Sequence, residues 1–523
     1  MSAIVTEEGL SVQSLLDPAI YDPPVSHCQL IETHISQVIL AGDYVYKIKK
    51  PVNLGFLDFS TLDKRRFYCE EELRLNKRMA PSLYLSVVPV IPDSEGLRWG
   101  GESDYDNAVD YAVKMKAFPQ ENQLDRMLAR GELNGGHIDE LAKVVAQFHL
   151  HAPRNGAGAS YGDADHVWQP VEENFRQITE RVAGEKILSD LRVLEQWSKE
   201  AFDRLRPLLE QRKRDGFIRE CHGDMHLRNI AWLDGEPLVF DCIEFSADLR
   251  WIDVISDIAF LVMDLQDRKQ SRLAQRFLNA WLEWTGDYDG LQLLRFYLVY
   301  RALVRAKVDA IRWHQPGISK NEALEARQDF LEYIRLALRY TSPEQPVLVI
   351  AHGVSASGKS TVTRPLLEQL GAIRIRSDVE RKRMFGLYPG RTGPSVSTEK
   401  LYSIEASEKT YARLLRLAGV ALKAGYAVIV DAVFLHYHER EMFHRLACNC
   451  NVRFVILEFS ASEETLRRRI ASREPGVSDA DLPVLEMQLG MWRPLKEPEQ
   501  CFAIEVNTER VVDPTLLAQR IRT

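Results

Sequence analysis

The stretch HGDMHLRNI carries an aspartate, Asp224, five positions before an asparagine, Asn229. This is the interval of a kinase catalytic loop, in which the carboxylate accepts a hydroxyl proton and the asparagine binds Mg²⁺. Downstream, the apolar run LVF leads directly into Asp241, a second candidate metal ligand. The three side chains together predict a site that transfers a phosphoryl group to a hydroxyl.

Such a site also needs a cation for the nucleotide phosphates, and Lys47 is the candidate. It lies in ISQVILAGDYVYKIK, which reads as two short strands joined by a turn, with Lys47 on the strand that follows the turn. A helix is predicted next, opening with Ser60 and Asp63 in capping-box spacing. Its run of three glutamates supplies a partner for Lys47, and helical geometry does not choose between Glu71 and Glu72.

A second phosphate-binding pattern, GVSASGKS, occupies residues 353–360 between a predicted strand and a predicted helix. In such a loop Gly353 and Gly358 allow the backbone N–H groups to wrap phosphates, and the side chain of Lys359 reaches the β and γ oxygens. The hydroxyl of Ser360 binds Mg²⁺, and Thr361 follows it at the predicted helix start. These five residues predict a nucleotide site of a different kind from the first.

Five further residues could complete this second site. Asp431 ends the apolar strand AVIVD, where a carboxylate can orient a metal-bound water or instead cap the next helix. Asp378 and Arg381 lie three residues apart at a predicted helix start. Asp378 could accept the hydroxyl proton while Arg381 binds the molecule that is phosphorylated, or the two could simply belong to a solvated helix face. Arg469 and Arg473 lie four residues apart on a predicted helix. This helix could be a lid that brings both guanidinium groups onto the phosphates, or it could be an ordinary surface helix.

The predicted elements divide the chain into three parts. Residues 1–340 begin with strands and continue from Asn122 with helical periodicity, and residues 341–346, TSPEQP, form a proline-containing linker. Strands and helices alternate over residues 347–523, which is typical of a parallel sheet with helices on both faces. The fold class is therefore α+β followed by α/β.

Over about residues 30–340 the chain resembles the aminoglycoside phosphotransferase and choline kinase family. The resemblance rests on HGDMHLRN, on Asp241 after a buried strand, and on the upstream Lys47 with its glutamate. It implies the bilobed protein-kinase fold, with a small β lobe and a mostly helical large lobe, and phosphorylation of small-molecule hydroxyls. Gly223 in place of the arginine of protein kinases favours this branch, whereas the glycine-rich cover loop is absent or degenerate.

Residues 347–523 resemble P-loop kinases of small molecules and polynucleotide ends, and RSDVERKR is similar to the zeta-toxin-like and polynucleotide-kinase-like group. This resemblance implies transfer to a hydroxyl without naming the acceptor. Both resemblances imply a nucleoside triphosphate, ATP or GTP, together with Mg²⁺. The histidines of the catalytic loop, His222 and His226, are expected to be structural. Asp253 and Asp257 in RWIDVISDIAF share a predicted helical face, and they are expected to brace the loop or, as the alternative, to hold a cationic acceptor.

Composition limits the partners. A net charge of −8 and a pI near 6.0 disfavour broad contact with nucleic acid or anionic membrane, which would need a basic face. No apolar run reaches membrane-spanning length and the first residues do not read as a secretory signal, so a cytoplasmic protein is expected. Seven scattered cysteines do not form a disulfide framework.

The sequence therefore favours a bifunctional kinase whose two sites act on small-molecule hydroxyls, in two successive steps on one metabolite. Two alternatives stay open. One domain could sense nucleotide and gate the other, which gains support if either site binds ATP without turnover. A nucleic-acid end-healing kinase would require a basic groove. Neither the acceptor of either site nor the oligomeric state follows from the sequence.

Overall fold

The structure is a computed structural model that describes the chain except residues 1–4, 7, 8, 11, 56, 94, 95, 157, 343, 344, 388–397 and 473–480. Its residue contacts divide into two compact units. The first comprises residues 1–140, 148–170 and 206–261, and the second comprises residues 141–147, 171–205 and 262–523. The boundaries that the sequence suggests at residues 340 and 347 stay a prediction.

Antiparallel strands dominate the start of the first unit. A two-stranded ribbon precedes a six-stranded sheet of order β3-β4-β5-β8-β6-β7. The strands are β1 (Val5–Thr6), β2 (Gly9–Leu10), β3 (Cys28–Glu32), β4 (Ser36–Ala41), β5 (Tyr44–Lys49), β6 (Tyr84–Asp93), β7 (Gly96–Trp99) and β8 (Asp110–Lys116). The hairpin predicted over residues 35–49 is β4 and β5, paired antiparallel through the turn at Gly42, whose φ is 57°.

Helix α1 (Leu62–Asn76) carries the glutamate run and packs on this sheet. Its cap differs from the predicted one, because Thr61 rather than Ser60 accepts a hydrogen bond from the N–H of Lys64. The Ser60 hydroxyl instead donates to Asp58 at 2.5 Å. The prediction of a helix is confirmed, and the cap lies one residue further along the chain.

Helices fill the middle of the chain, with two short antiparallel strand pairs among them. The helices are α2 (Leu124–Ala129), α3 (Gly135–His151), α4 (Ala164–Thr179), α5 (Glu185–Arg214), α6 (Ala247–Arg250), α7 (Val254–Asp267), α8 (Ser271–Thr285), α9 (Leu291–Trp313) and α10 (Lys320–Thr341). The strands are β9 (Ile218–Glu220), β10 (Ile230–Leu233), β11 (Glu236–Val239) and β12 (Trp251–Asp253), paired β10 with β11 and β9 with β12. None of the helices in the described parts of the chain is long and apolar enough to cross a membrane.

The second unit contains a five-stranded, entirely parallel sheet of order β14-β15-β13-β16-β17. Its strands are β13 (Val347–His352), β14 (Ile373–Arg376), β15 (Val428–Asp431), β16 (Arg453–Ser460) and β17 (Ala503–Asn507). The intervening helices are α11 (Lys359–Leu370), α12 (Ser377–Met384), α13 (Thr398–Leu401), α14 (Ile404–Lys423), α15 (Tyr437–Asn449), α16 (Glu463–Ala471), α17 (Leu482–Met491), α18 (Glu497–Gln500) and α19 (Pro514–Arg522).

The sequence explains this sheet. Strand β13 is buried at every position, as expected for the central strand of a parallel sheet covered on both faces. Its apolar residues pack with α11 and α19 in one core cluster. The carboxyl ends of parallel strands meet at one edge, so the loops after β13, β14 and β15 converge there.

Candidate active sites

The catalytic loop of the first unit holds its aspartate and asparagine against each other. The Asn229 side-chain amide donates to both the backbone oxygen and Oδ2 of Asp224, each at 3.1 Å. The amide nitrogen therefore faces the aspartate, which leaves the amide oxygen as the atom suited to a metal. His226 Nε2 lies 3.4 Å from the same carboxylate oxygen.

Asp257 of α7 fixes the start of this loop. Its carboxylate accepts from the backbone N–H groups of His222 at 3.1 Å and Gly223 at 2.8 Å, and from His149 Nε2 at 3.0 Å. Burial raises the pKa of Asp257, but the hydrogen bond and charge of His149 and the contacts with His222 outweigh burial and lower it to about 2. Asp257 is thus an ionised anchor beneath the loop.

Two details of the HGD sequence follow from its packing. Gly223 has φ of 87°, and a Cβ there would lie 2.8 Å from the backbone oxygen of Leu249, so a side chain does not fit. His222 Nε2 lies 2.9 Å from the Phe240 oxygen, and burial lowers the pKa of His222. A buried neutral histidine bonded to backbone holds the loop in shape.

Lys47 of β5 bridges two carboxylates. Its amine donates to Glu72 Oε1 and to Asp241 Oδ1, each at 2.9 Å. Burial lowers the pKa of Lys47, but Asp241 and then Glu72 outweigh it and hold that pKa well above the usual lysine value. Of the two glutamates the sequence left open, Glu72 is the one that contacts the lysine.

Glu71 faces elsewhere because consecutive helical residues are rotated by about 100°. It accepts from the Nε and Nη2 of Arg74, each at 2.8 Å, and from Arg250 at 3.2 Å. The interpretation of Glu71 as the lysine partner is therefore corrected to Glu72, whose side chain is completely buried.

A second buried lysine, Lys49, had no role in the predicted site. Lys49, only 1% exposed, donates to Glu72 Oε2 at 2.7 Å and also bonds Glu244. The two lysines outweigh the effect of burial and lower the pKa of Glu72 to about 2. The alternation that places Lys47 and Lys49 on one strand face was visible in the sequence, whereas Glu244, three residues after Asp241, gave no signal of its own.

A backbone hydrogen bond brings the two candidate metal ligands of this site, Asn229 and Asp241, close together. The N–H of Phe240 donates to the oxygen of Asn229 at 2.9 Å, which places Asp241 beside the catalytic loop. Asp241 is 47% exposed at its side chain. A carboxylate and an amide oxygen are hard ligands of the kind that Mg²⁺ prefers, so the residues fit this ion.

In the second unit the glycine-rich loop joins β13 to α11. Lys359 Nζ donates to the backbone oxygens of Gly353 at 2.7 Å and Val354 at 2.8 Å, so the amine lies within the curve of the loop. Gly358 has φ of 88°, and a Cβ there would approach Thr508 Cγ2 to 2.9 Å. This position therefore requires glycine.

The loop opens on a cavity of about 1140 Å³. Ser360 and Thr361 line it, as does Asp431 at the end of β15. Ser360 Oγ donates to Asp431 Oδ2 at 2.8 Å, and Thr363 Oγ1, which the sequence analysis missed, lies 3.2 Å from the same oxygen. The Ser360 hydroxyl, which was predicted to bind Mg²⁺, and the Asp431 carboxylate are thus in direct contact.

Asp378 and Arg381 of α12 line the same cavity. Their side chains pair at 3.7 Å, and the Arg381 guanidinium lies 4.5 Å from the ring centre of Tyr402. Arg381 is 8% exposed, and its Nε finds no hydrogen-bond partner within the described parts of the chain. The predicted proton acceptor and its neighbouring cation therefore both face the cavity.

Arg469 of α16 reaches the glycine-rich loop. It donates to the oxygen of Ala356 at 3.2 Å and to Thr508 Oγ1 and O at 2.9 and 2.8 Å. Arg473 lies outside the described residues. The sequence analysis missed Arg376, which lines the cavity directly before α12, although the alternation of Arg374 and Arg376 in RIRSD was a signal.

The comparisons with known proteins agree with these two sets of residues. Residues 68–294 match the phosphotransferase enzyme family model, and residues 348–495 match the model of an AAA domain. The chain thus carries an aminoglycoside-phosphotransferase-like region followed by a P-loop kinase-like region, which confirms the two resemblances. An uncharacterized protein of Mycobacterium tuberculosis strain H37Rv is 32% identical over 453 residues, covering 86% of this chain and 87% of that protein. The chain belongs to the same family as this mycobacterial protein.

Solved structures also align with parts of this chain. An amicoumacin kinase in complex with AMP-PNP, Ca²⁺ and Ami is 13% identical, covers 59% of this chain and 88% of its own, and has a TM-score of 0.38. A gluconokinase from Sinorhizobium meliloti 1021 is 19% identical, covers 34% of this chain and 90% of its own, and has a TM-score of 0.24.

Proposed function

We propose that the chain is an ATP-dependent kinase with two active sites, each of which phosphorylates a hydroxyl group of a small molecule. One observation carries this proposal. Each set of site residues combines a lysine for the nucleotide phosphates with a carboxylate for the acceptor proton, namely Lys47 with Asp224 and Lys359 with Asp378. GTP is the alternative nucleotide.

In the first site, Asp224 would accept the proton of the acceptor hydroxyl. The acceptor oxygen then bonds to the γ-phosphorus, the bond from that phosphorus to the β–γ bridging oxygen breaks, and ADP leaves. Lys47 would hold the α and β phosphates, and Glu72 fixes the lysine by its 2.9 Å hydrogen bond. The Asn229 amide donates to Asp224 Oδ2 at 3.1 Å and would hold that carboxylate in position.

In the second site, Asp378 would accept the hydroxyl proton, with the same bonds formed and broken. The loop amides and Lys359 would bind the β and γ phosphates, and Arg469 would contact the nucleotide from the lid side. Arg381, with its unpartnered Nε, would bind an anionic group of the acceptor. Because Arg381 suits an acceptor that already carries phosphate, we propose that this site acts second on one metabolite.

Mg²⁺ would be held by Asn229 and Asp241 in the first site and by Ser360 with Asp431 in the second. When bound it supplies positive charge that neutralises the phosphate oxygens during transfer. The two sites need no shared residue for these roles.

The test is a metabolite screen with γ-labelled ATP and three full-length proteins: wild type, Asp224→Asn and Lys359→Ala. We expect wild type to label a small-molecule product and Lys359→Ala to label only the product of the first transfer. We expect Asp224→Asn to label a product only when the product of the first transfer is supplied. Loss of a general base costs about 10²–10⁴ in rate. If one site binds ATP but transfers no label, that result would instead support the alternative in which its domain senses nucleotide and gates the other domain.

A further inference from the structure

Helix α8 lies along the free edge of the parallel sheet. Strand β14 is an edge strand, and two buried amides of α8 bond its backbone. Asn279 accepts from the N–H of Arg374 at 2.7 Å and donates to the oxygen of Ala372 at 3.0 Å. Gln275 donates to the same oxygen at 2.8 Å. The amide side chains thus take the place of a neighbouring strand.

One turn further along α8, a single carboxylate holds two arginines of this strand. Glu283 Oε1 accepts from Arg374 at 3.0 Å, and Glu283 Oε2 accepts from Arg376 at 3.2 Å. The backbone oxygen of Glu283 also accepts from Arg383 of α12 at 2.5 Å. Helix α8 is therefore tied to both ends of the segment that carries Asp378.

Arg376 is the member of this group that reaches the cavity. It precedes α12 directly and lines the cavity that Asp378 and Asp431 also line. Burial lowers the pKa of Arg376, but Glu283, then Asp431 and Asp378, outweigh burial and raise it. Its guanidinium stays positive beside the place where the proposed transfer would move a phosphoryl group.

Helix α8 and strand β14 come from different family regions. Residues 271–285 fall within the match to the phosphotransferase family, whereas residues 373–376 fall within the match to the AAA domain. Both elements nevertheless belong to the second compact unit. A segment of one family region therefore builds the edge of the other region's site.

We propose that Arg376 binds the transferring phosphoryl group in the second site, and that Glu283 is the positioning residue that directs the Arg376 guanidinium toward it. This inference rests on the proposed function of that site. A guanidinium aimed at the moving phosphoryl stabilises the transition state more than the bound nucleotide. Its loss should therefore affect mimics of the transition state more than ADP.

The test compares binding of ADP with binding of ADP plus fluoroaluminate, a mimic of the phosphoryl in transfer, in the full chain with Mg²⁺. Every protein carries Lys47→Ala, which weakens nucleotide binding at the other site. We expect Arg376→Met to lose about 10²-fold of the preference for the mimic, and Glu283→Gln to lose about tenfold, with ADP affinity unchanged. In the double variant the loss should equal that of Arg376→Met alone, because Glu283 acts through Arg376.

Two controls separate positioning from general support of the fold. Glu368 pairs with Arg276 of α8 at 3.1 Å and does not line the cavity, so Glu368→Gln should keep the full preference. Asn279→Ala should lower the Tm without changing the preference. If Glu283→Gln does not fold, Arg376→Met decides alone.

An unchanged preference in Arg376→Met overturns the inference, as do losses that multiply in the double variant. In either case normal ADP binding would leave the proposed function standing. Failure of the Lys47→Ala protein to bind ADP at all would instead overturn both the inference and the proposed nucleotide role of Lys359.

Discussion

The Nζ of Lys47 donates to Glu72 Oε1 at 2.9 Å, and the preceding residue of the helix, Glu71, faces away toward Arg74. These two adjacent glutamates thus bind different side chains. Glu72 also bonds Lys49, so it connects two lysines of one strand. This arrangement makes the two glutamates a matched pair for mutagenesis.

Glu72→Gln should therefore reduce N-terminal transfer much more than Glu71→Gln. The substitution removes the charge that holds Lys47 and leaves the buried Lys49 short of a partner, at a stability cost of about 3–5 kcal/mol. Glu71→Gln weakens the pairs of Glu71 with Arg74, which is 47% exposed, and with Arg250, and it leaves the Lys47–Glu72 pair in place. The measurements are labelled-product formation and Tm for both variants, with Lys359→Ala present to silence the second site. Equal losses of product would contradict the placement of Glu72 as the functional partner.

Ser360 and Thr363 offer a second matched pair, since both hydroxyls contact Asp431 Oδ2 but only Ser360 lines the cavity. Ser360→Ala should reduce C-terminal transfer and raise the Mg²⁺ concentration needed for half-maximal rate. Thr363→Val should cost about 1 kcal/mol of stability from a lost hydrogen bond, with transfer largely kept. Magnesium titrations of both variants in an Asp224→Asn background check this. A stronger magnesium effect in Thr363→Val would reverse the assignment.

Asp257 should make stability depend on pH at acidic values. Its pKa is lowered from 3.8 to about 2 in the folded chain, so its contribution of about 2 kcal/mol is fully present above the unfolded pKa. The contribution is lost as pH falls through the folded pKa. The difference in Tm between wild type and Asp257→Asn should thus be constant above about pH 5 and shrink between about pH 4 and pH 2. A difference that grows on acidification would show that Asp257 is not an ionised anchor.

Loops with strict local demands were predictable from the sequence. HGDMHLRN and GVSASGKS need glycine at positive φ at Gly223 and Gly358, and the spacing of their functional side chains is set within a few residues. The parallel sheet followed equally from short apolar strands that alternate with helices. In these two loops the residues that the backbone geometry requires and the residues that the chemistry requires lie within one short stretch of sequence.

The parts of the two sites that were not predicted depend on contacts between residues far apart in the sequence, which a local sequence pattern does not show. The choice between Glu71 and Glu72 rests on the rotational phase of α1 against the sheet. The bonds of Lys49 to Glu244 and of Arg376 to Glu283 join residues 195 and 93 positions apart. Such pairs form only after the helices and strands pack, so neither Glu244 nor Glu283 carried a signal.

The central claim, two independent transfers in succession, is tested most directly by mass spectrometry of the products of Lys359→Ala and Asp224→Asn with candidate hydroxyl metabolites. We expect Lys359→Ala to accumulate a singly phosphorylated compound, which Asp224→Asn then converts when it is added. A mixture of the two proteins should restore the final product of wild type. Loss of all transfer in both variants, unrelieved by mixing, would contradict the account and favour a single gated enzyme.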